Sequence, residues 1–181
     1  MTLSASPKNI AIAFAIGILT ALAGIVVYES GALSGSSDPL AASKASAAHT
    51  AAGELPSVTV YKSPTCGCCN EWVDHLRDNG FAVKTTDMQD VRPMKNRLGV
   101  PGMLSSCHTA VVGGYVVEGH VPATDIKRLL RQQPDVTGLS VPGMPVGSPG
   151  MEQGDRVDPY RVVAFSEKTG TTSVFNTYSG R

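Results

Sequence analysis

Net charge is the first thing this chain lacks: fifteen Lys and Arg stand against fifteen Asp and Glu in 181 residues. No basic run occurs, and no basic stripe is interleaved with aromatics, so the sequence carries no electrostatic case for nucleic acid or for an anionic membrane surface. It also has no Ser-His-Asp constellation, no phosphate-cradling glycine pattern and no paired carboxylates at helical spacing. Those absences remove the commonest hydrolytic and nucleotide-binding readings. Cysteine is scarce too, at four residues, but Cys66, Cys68 and Cys69 crowd into one turn, with Cys107 apart from them.

The first third differs in composition from the rest. Residues 10–28 are apolar apart from Thr20 and small residues, with Lys8 before them and Glu29 directly after. A helix of roughly 20 apolar residues can span a bilayer core, whereas the apolar part of a cleaved signal peptide is usually about 7 to 15 residues long. The segment therefore reads as an N-terminal hydrophobic helix and signal anchor, with cleavage after the small-x-small pattern Ala21-Leu22-Ala23 as the alternative. Residues 29–55 are dominated by Ala, Ser and Gly. With so few large apolar side chains they cannot offset chain entropy, and they read as a flexible linker. The small positive bias ahead of the span leaves that end in the cytoplasm. Residues 56–181 are then a periplasmic domain, either anchored to the inner membrane or released.

Within 56–181 the pattern predicts a strand over 57–61, stopped by Ser63-Pro64, and an amphipathic helix carrying Trp72, Val73 and Leu76 that stops at Asn79-Gly80. A strand over 81–85, a helix over 91–98 and a strand over 108–112 follow. Gly113-Gly114 turns the last of these into a strand over 115–118. A helix over 125–131 takes Thr124 as its N-cap. Residues 134–159 read as one long Gly/Pro/Met loop, and 161–165 with 171–178 as a terminal hairpin. This β-α-β-α-β-β-α order, with cysteines at the first strand-to-helix turn, is an α/β arrangement of thioredoxin-like type with a mixed sheet. In such a fold Pro101 is a candidate for the cis proline opposite the cysteines, and Cys107 lies close to the first helical turn.

The chemistry follows from the donors. Thiolates are soft ligands that select Cu(I), zinc or iron-sulfur clusters over hard cations. Gly67 is expected to let the backbone bend so that the sulfurs of Cys66, Cys68 and Cys69 converge, with Cys107 as fourth. The helix N-terminus and nearby Lys62 are expected to lower the thiol pKa values. Cys66 and Cys69 also have the Cys-x-x-Cys redox spacing, whereas adjacent Cys68 and Cys69 make an awkward bridge. A pair of purely stabilising disulfides is the plainer reading, but a bridge inside so tight a cluster constrains little of the unfolded chain.

Among other soft or borderline donors, His120 is an auxiliary ligand or a group supporting one, the alternative being a cap on the hairpin beside Pro122. His108 is weaker and could simply meet a backbone carbonyl. His49 and His75 read as solvated. Met103, Met144 and Met151 could fill core space. Met144 and Met151, however, lie in a loop with little core to fill, where thioethers suit Cu(I).

The run Tyr61-Lys-Ser-Pro-Thr-Cys66-Gly-Cys68-Cys69, then Ser106-Cys107-His108-Thr109-Ala110, then Glu118-Gly119-His120-Val121-Pro122, and finally Val141-Pro-Gly-Met144-Pro with Gly147-Ser-Pro-Gly-Met151-Glu152, closely resembles the DUF411 family of CopG-like copper-resistance proteins. The resemblance covers roughly residues 56–178. It implies a periplasmic thioredoxin-like protein whose four cysteines gather Cu(I) for storage, delivery or detoxification, with periplasmic copper-handling proteins as partners. The rival expectation is a thiol-disulfide or copper oxidoreductase in which Cys66 or Cys69 attacks and Cys107 is a resolving or metal-gating partner. A zinc or iron-sulfur site is the third, and an iron-sulfur cluster would colour the protein.

Overall fold

The computed structural model describes residues 53–181. The apolar segment at 10–28, His49 and the linker up to residue 52 lie outside them. Among the described residues no helix is long and apolar enough to cross a membrane.

The element order is β1 (Val58–Lys62), α1 (Gly67–Asp78), β2 (Val83–Asp87), α2 (Arg92–Arg97), a 3-10 turn at Gly102–Leu104, β3 (Thr109–Val112), β4 (Tyr115–Glu118), α3 (Ala123–Gln132), β5 (Gly138–Ser140), β6 (Tyr160–Ser166) and β7 (Thr171–Tyr178). Among the described residues seven strands form one sheet in the order β2-β1-β3-β4-β5-β6-β7. The β1/β2 and β4/β5 pairs are parallel and the other four antiparallel, so the α/β class with a mixed sheet holds.

Strand β5 is a correction, because residues 134–159 read as unbroken loop. Three residues, one of them glycine, carry too little alternation to signal a strand. Gly138 is pressed against the backbone of Val116 across the β4/β5 pair, where a side chain would have no room. The terminal hairpin forms as expected, with a register shift between Val162 and Val163.

Alternation sorts the sheet's two faces. Val58, Val60, Ala110, Val112 and Val117 join Trp72, Val73 and Leu76 of α1 and Ile126 and Leu129 of α3 in the larger core cluster. Val116 and Phe165 meet Val100 and Leu104, from the segment after α2, in a smaller one. Each fully buried Val, Leu or Ile contributes about 1.5–3 kcal/mol of transfer free energy, so the α1 and α3 face holds most of the apolar stabilisation. Trp72 is fully buried, and its indole N–H donates to the Val121 carbonyl at 2.9 Å, tying α1 to the chain entering α3.

Helix α1 ends where the sequence placed its stop: the Asn79 side chain donates to the His75 carbonyl, and Gly80 takes φ +85°. Helix α3 begins two residues earlier than expected. Its N-cap is Pro122, without a side-chain cap, and not Thr124. Pro122 sits just ahead of the first helical residue with an extended backbone, where its missing N–H is not needed because no intrahelical acceptor exists for it. No cis peptide occurs among the described residues, so Pro101 is trans.

Candidate metal centre

Strand β1 delivers the chain into the turn Ser63-Pro64-Thr65-Cys66, closed by the Cys66 N–H on the Ser63 carbonyl at 3.2 Å. Cys66 is the N-cap of α1 with an extended backbone, φ −81° and ψ 99°, and no side chain caps the helix. That extended residue makes the bend. Gly67 is the first helical residue, does not take positive φ, and has open space where a Cβ would stand, so the conformational freedom expected of it is not used.

Cys66 and Cys69 are joined as a disulfide, while Cys68 and Cys107 are free and half-buried. The Cys66 and Cys68 sulfurs are 3.5 Å apart. All four sulfurs lie within 4.8 Å of one another, so Cys107, from the loop ahead of β3, meets the α1 turn as expected. A second group, Cys107 with His108 and His120, is equally close, and Cys107 belongs to both.

His120 is buried and faces inward, not over the hairpin. Its Nδ1 stands 2.7 Å from the Pro149 carbonyl and its Nε2 3.0 Å from the Cys107 sulfur. His108 is fully buried against Trp72, with ring centroids 4.3 Å apart. Its Nδ1 is 3.2 Å from the Cys107 sulfur, and its Nε2 has no partner among the described residues. Burial holds both imidazoles below their ordinary pKa, His108 well below it, so both are neutral and able to offer a lone pair.

Burial also pushes the Cys107 thiol up to about 12, assisted by the Cys68 sulfur beside it. This is opposite to the lowered thiol pKa values expected of the cluster. Lys62, expected to supply positive charge there, instead pairs with Asp87 at 2.9 Å.

The Gly/Pro loop after β5 lines the site. Gly143 receives the Ser106 hydroxyl on its carbonyl, next to Cys107, and Pro149 receives His120. Gly150, at φ +80°, lies against the Cys68 carbonyl and the Trp72 N–H, and a Cβ there would sit 2.8 and 2.7 Å from them. Met144 follows Gly143 and is 54 % exposed; Met103, before the Cys107 loop, is 83 % exposed. Neither fills core. Met151 is half-buried within the loop, its N–H on the Ser148 carbonyl at 2.8 Å.

Two polar residues were missed or misjudged from sequence. His75, read as solvated, is half-buried and accepts the Ala123 N–H on Nε2 at 3.1 Å, at the start of α3. Glu118 is completely buried, its Oε1 2.5 Å from Lys95 Nζ and 2.6 Å from the Ser106 N–H nitrogen. Burial raises its pKa, against the opposing pull of Lys95 and of the Ser106 N–H.

Two solved structures share this architecture: the copper resistance protein copG in its form 1 and form 2. Each is 50 % identical, with a TM-score of 0.66; they cover 70 % and 69 % of this chain and 100 % and 99 % of their own. The model of DUF411, a protein of unknown function, matches residues 104–151. The chain belongs to the DUF411 family of CopG-like proteins. No curated protein matches it. The stretch matched to DUF411 runs from Leu104 to Met151, so it holds Cys107, His108, Glu118, His120 and Gly150 but not the α1 cysteines.

Proposed function

We propose that this DUF411 protein binds copper as Cu(I) through Cys66, Cys68, Cys69 and Cys107, for copper handling or resistance. The observation that carries the reading is the convergence of four sulfurs within 4.8 Å, from two segments about forty residues apart in sequence. Four soft donors in one place favour Cu(I) over hard cations. The 50 % identity to a copper resistance protein supports copper over zinc and iron-sulfur.

In the disulfide state only Cys68 and Cys107 are thiols. Full loading therefore follows reduction of the Cys66–Cys69 bond by two thiol equivalents of a small-molecule or protein dithiol, which is oxidised to its own disulfide. His120 supplies nitrogen beside Cys107, and Met144 and Met151 supply auxiliary thioether from the loop. The order β2-β1-β3-β4, with β3 antiparallel to its neighbours, supports a thioredoxin-like core. We place the domain in the periplasm, tethered by residues 10–28 or released, where an oxidising compartment suits a reversible disulfide.

The Cys66–Cys69 disulfide itself favours a second reading, a thiol-disulfide or copper oxidoreductase using that pair. Titrating the reduced, oxygen-free full chain with Cu(I) and Zn(II), with thiol counting, separates the two. Tight copper uptake that protects all four thiols supports the copper site. Four thiols that cycle between dithiol and disulfide without retaining metal would overturn it in favour of the oxidoreductase.

A further inference from the structure

Residues Glu118, Gly119 and His120 grip residues Ser106, Cys107 and His108 at three successive points. Glu118 Oε1 accepts the Ser106 N–H at 2.6 Å, the Gly119 N–H donates to the His108 carbonyl at 3.1 Å, and His120 Nε2 meets the Cys107 sulfur at 3.0 Å. Gly119 takes φ +69°, and a Cβ there would run into Ser106 and the Val141 carbonyl, so the two segments approach as closely as backbone allows.

The first of these grips is the odd one. Glu118 is 0 % and Lys95 7 % exposed at the side chain, so two charges are buried together under the smaller face of the sheet. Such a pair is poor value for stability alone, since well-packed apolar residues of similar size commonly do as well or better. An apolar residue at 118 could not, however, accept the amide directly before Cys107. Lys95, on α2, fixes the carboxylate that does so, and α2 is thereby joined to the Cys107 loop.

We infer that Glu118, by accepting the Ser106 N–H, is the positioning residue for Cys107. It sets where the thiol stands relative to the α1 cysteines without touching a sulfur. The inference rests on Cys107 being a working thiol, but not on which metal is bound or whether any is.

The test therefore uses thiol chemistry rather than copper. In the metal-free full chain, alkylation of Cys107 by iodoacetamide is followed by peptide mass mapping, with Cys68 as the internal reference. The wild type is compared with K95M/E118Q, which keeps an acceptor for Ser106, and K95M/E118L, which does not; both remove the charges together. The apolar pair is expected to speed Cys107 alkylation roughly tenfold, as for loss of one hydrogen bond to a buried amide, while the Gln variant stays within about twofold of wild type. Equal rates in all three, or equal acceleration in both variants, would overturn the proposal. Hydrogen exchange of the Ser106 amide in the wild type decides it even if a variant fails to fold: protection like that of the β3/β4 amides is expected, and exchange at the rate of an exposed loop would refute it.

Discussion

His120 stands between Cys107 and Pro149, with Nε2 3.0 Å from the sulfur and Nδ1 2.7 Å from the carbonyl oxygen. A carbonyl can only accept, so Nδ1 carries the proton and the Nε2 lone pair faces the Cys107 S–H. This is the arrangement that fixes the tautomer of metal-binding histidines, in which one ring nitrogen is anchored and the other is left free. A soft metal ion that displaces the S–H proton would find sulfur and imidazole nitrogen already side by side. His120→Ala is expected to weaken Cu(I) binding about 10- to 100-fold, the usual consequence of losing such a group. Competition against a coloured Cu(I) chelator measures it, and an unchanged affinity would remove His120 from the site.

Cys107→Ser separates the two functional readings. It should lower both the copper bound per chain and the affinity, while leaving the Cys66–Cys69 disulfide free to form and to be reduced. Copper content and the rate of disulfide reduction, measured on the same preparation, give the answer. A variant that keeps full copper and loses reduction would invert the proposed roles.

Two glycines near the same sulfurs should respond in opposite ways. Gly150→Ala puts a Cβ against the Cys68 carbonyl and the Trp72 N–H at positive φ. Left-handed strain and the clash together are expected to cost about 2–4 kcal/mol, read as a lower melting temperature. Gly67→Ala meets open space in a helical position and should be neutral or stabilising by up to about 1 kcal/mol. Similar melting temperatures for the two variants would mean the loop does not press on α1 as described.

Acidification should destabilise the domain through His75. Burial lowers its pKa in the fold, against the pull of Glu152 and Asp78, so the unfolded chain takes up the proton first. The stabilisation is present above the ordinary imidazole pKa of about 6.5 and is lost as pH falls through the lower folded value. His75→Gln keeps an acceptor for the Ala123 N–H and removes the titration. Its melting temperature should therefore fall less than that of the wild type between neutral and mildly acidic pH. Parallel curves would assign the acid sensitivity to other groups.

Local pattern was enough for much of this domain. The β-branched run at β1, the amphipathic face of α1 and the Gly113-Gly114 turn each encode their structure within a dozen residues. Convergence of Cys107 on the α1 turn was legible only through the order of elements. What stayed hidden depends on distant partners. Lys95 and Glu118 are 23 residues apart and give no local sign of pairing. His75 lies on a helix face that is solvated by periodicity but is met by the amide of Ala123. Strand β5 exists because β4 and β6 bracket it, and its own three residues would not form a strand alone.

Trp72 is the only tryptophan of the chain, and its indole lies 4.3 Å, centroid to centroid, from the His108 ring, which in turn touches Cys107. The protein thus contains its own optical probe. Tryptophan emission comes from a single site one side chain removed from a sulfur, so binding or oxidation there can be followed in real time without attaching a dye.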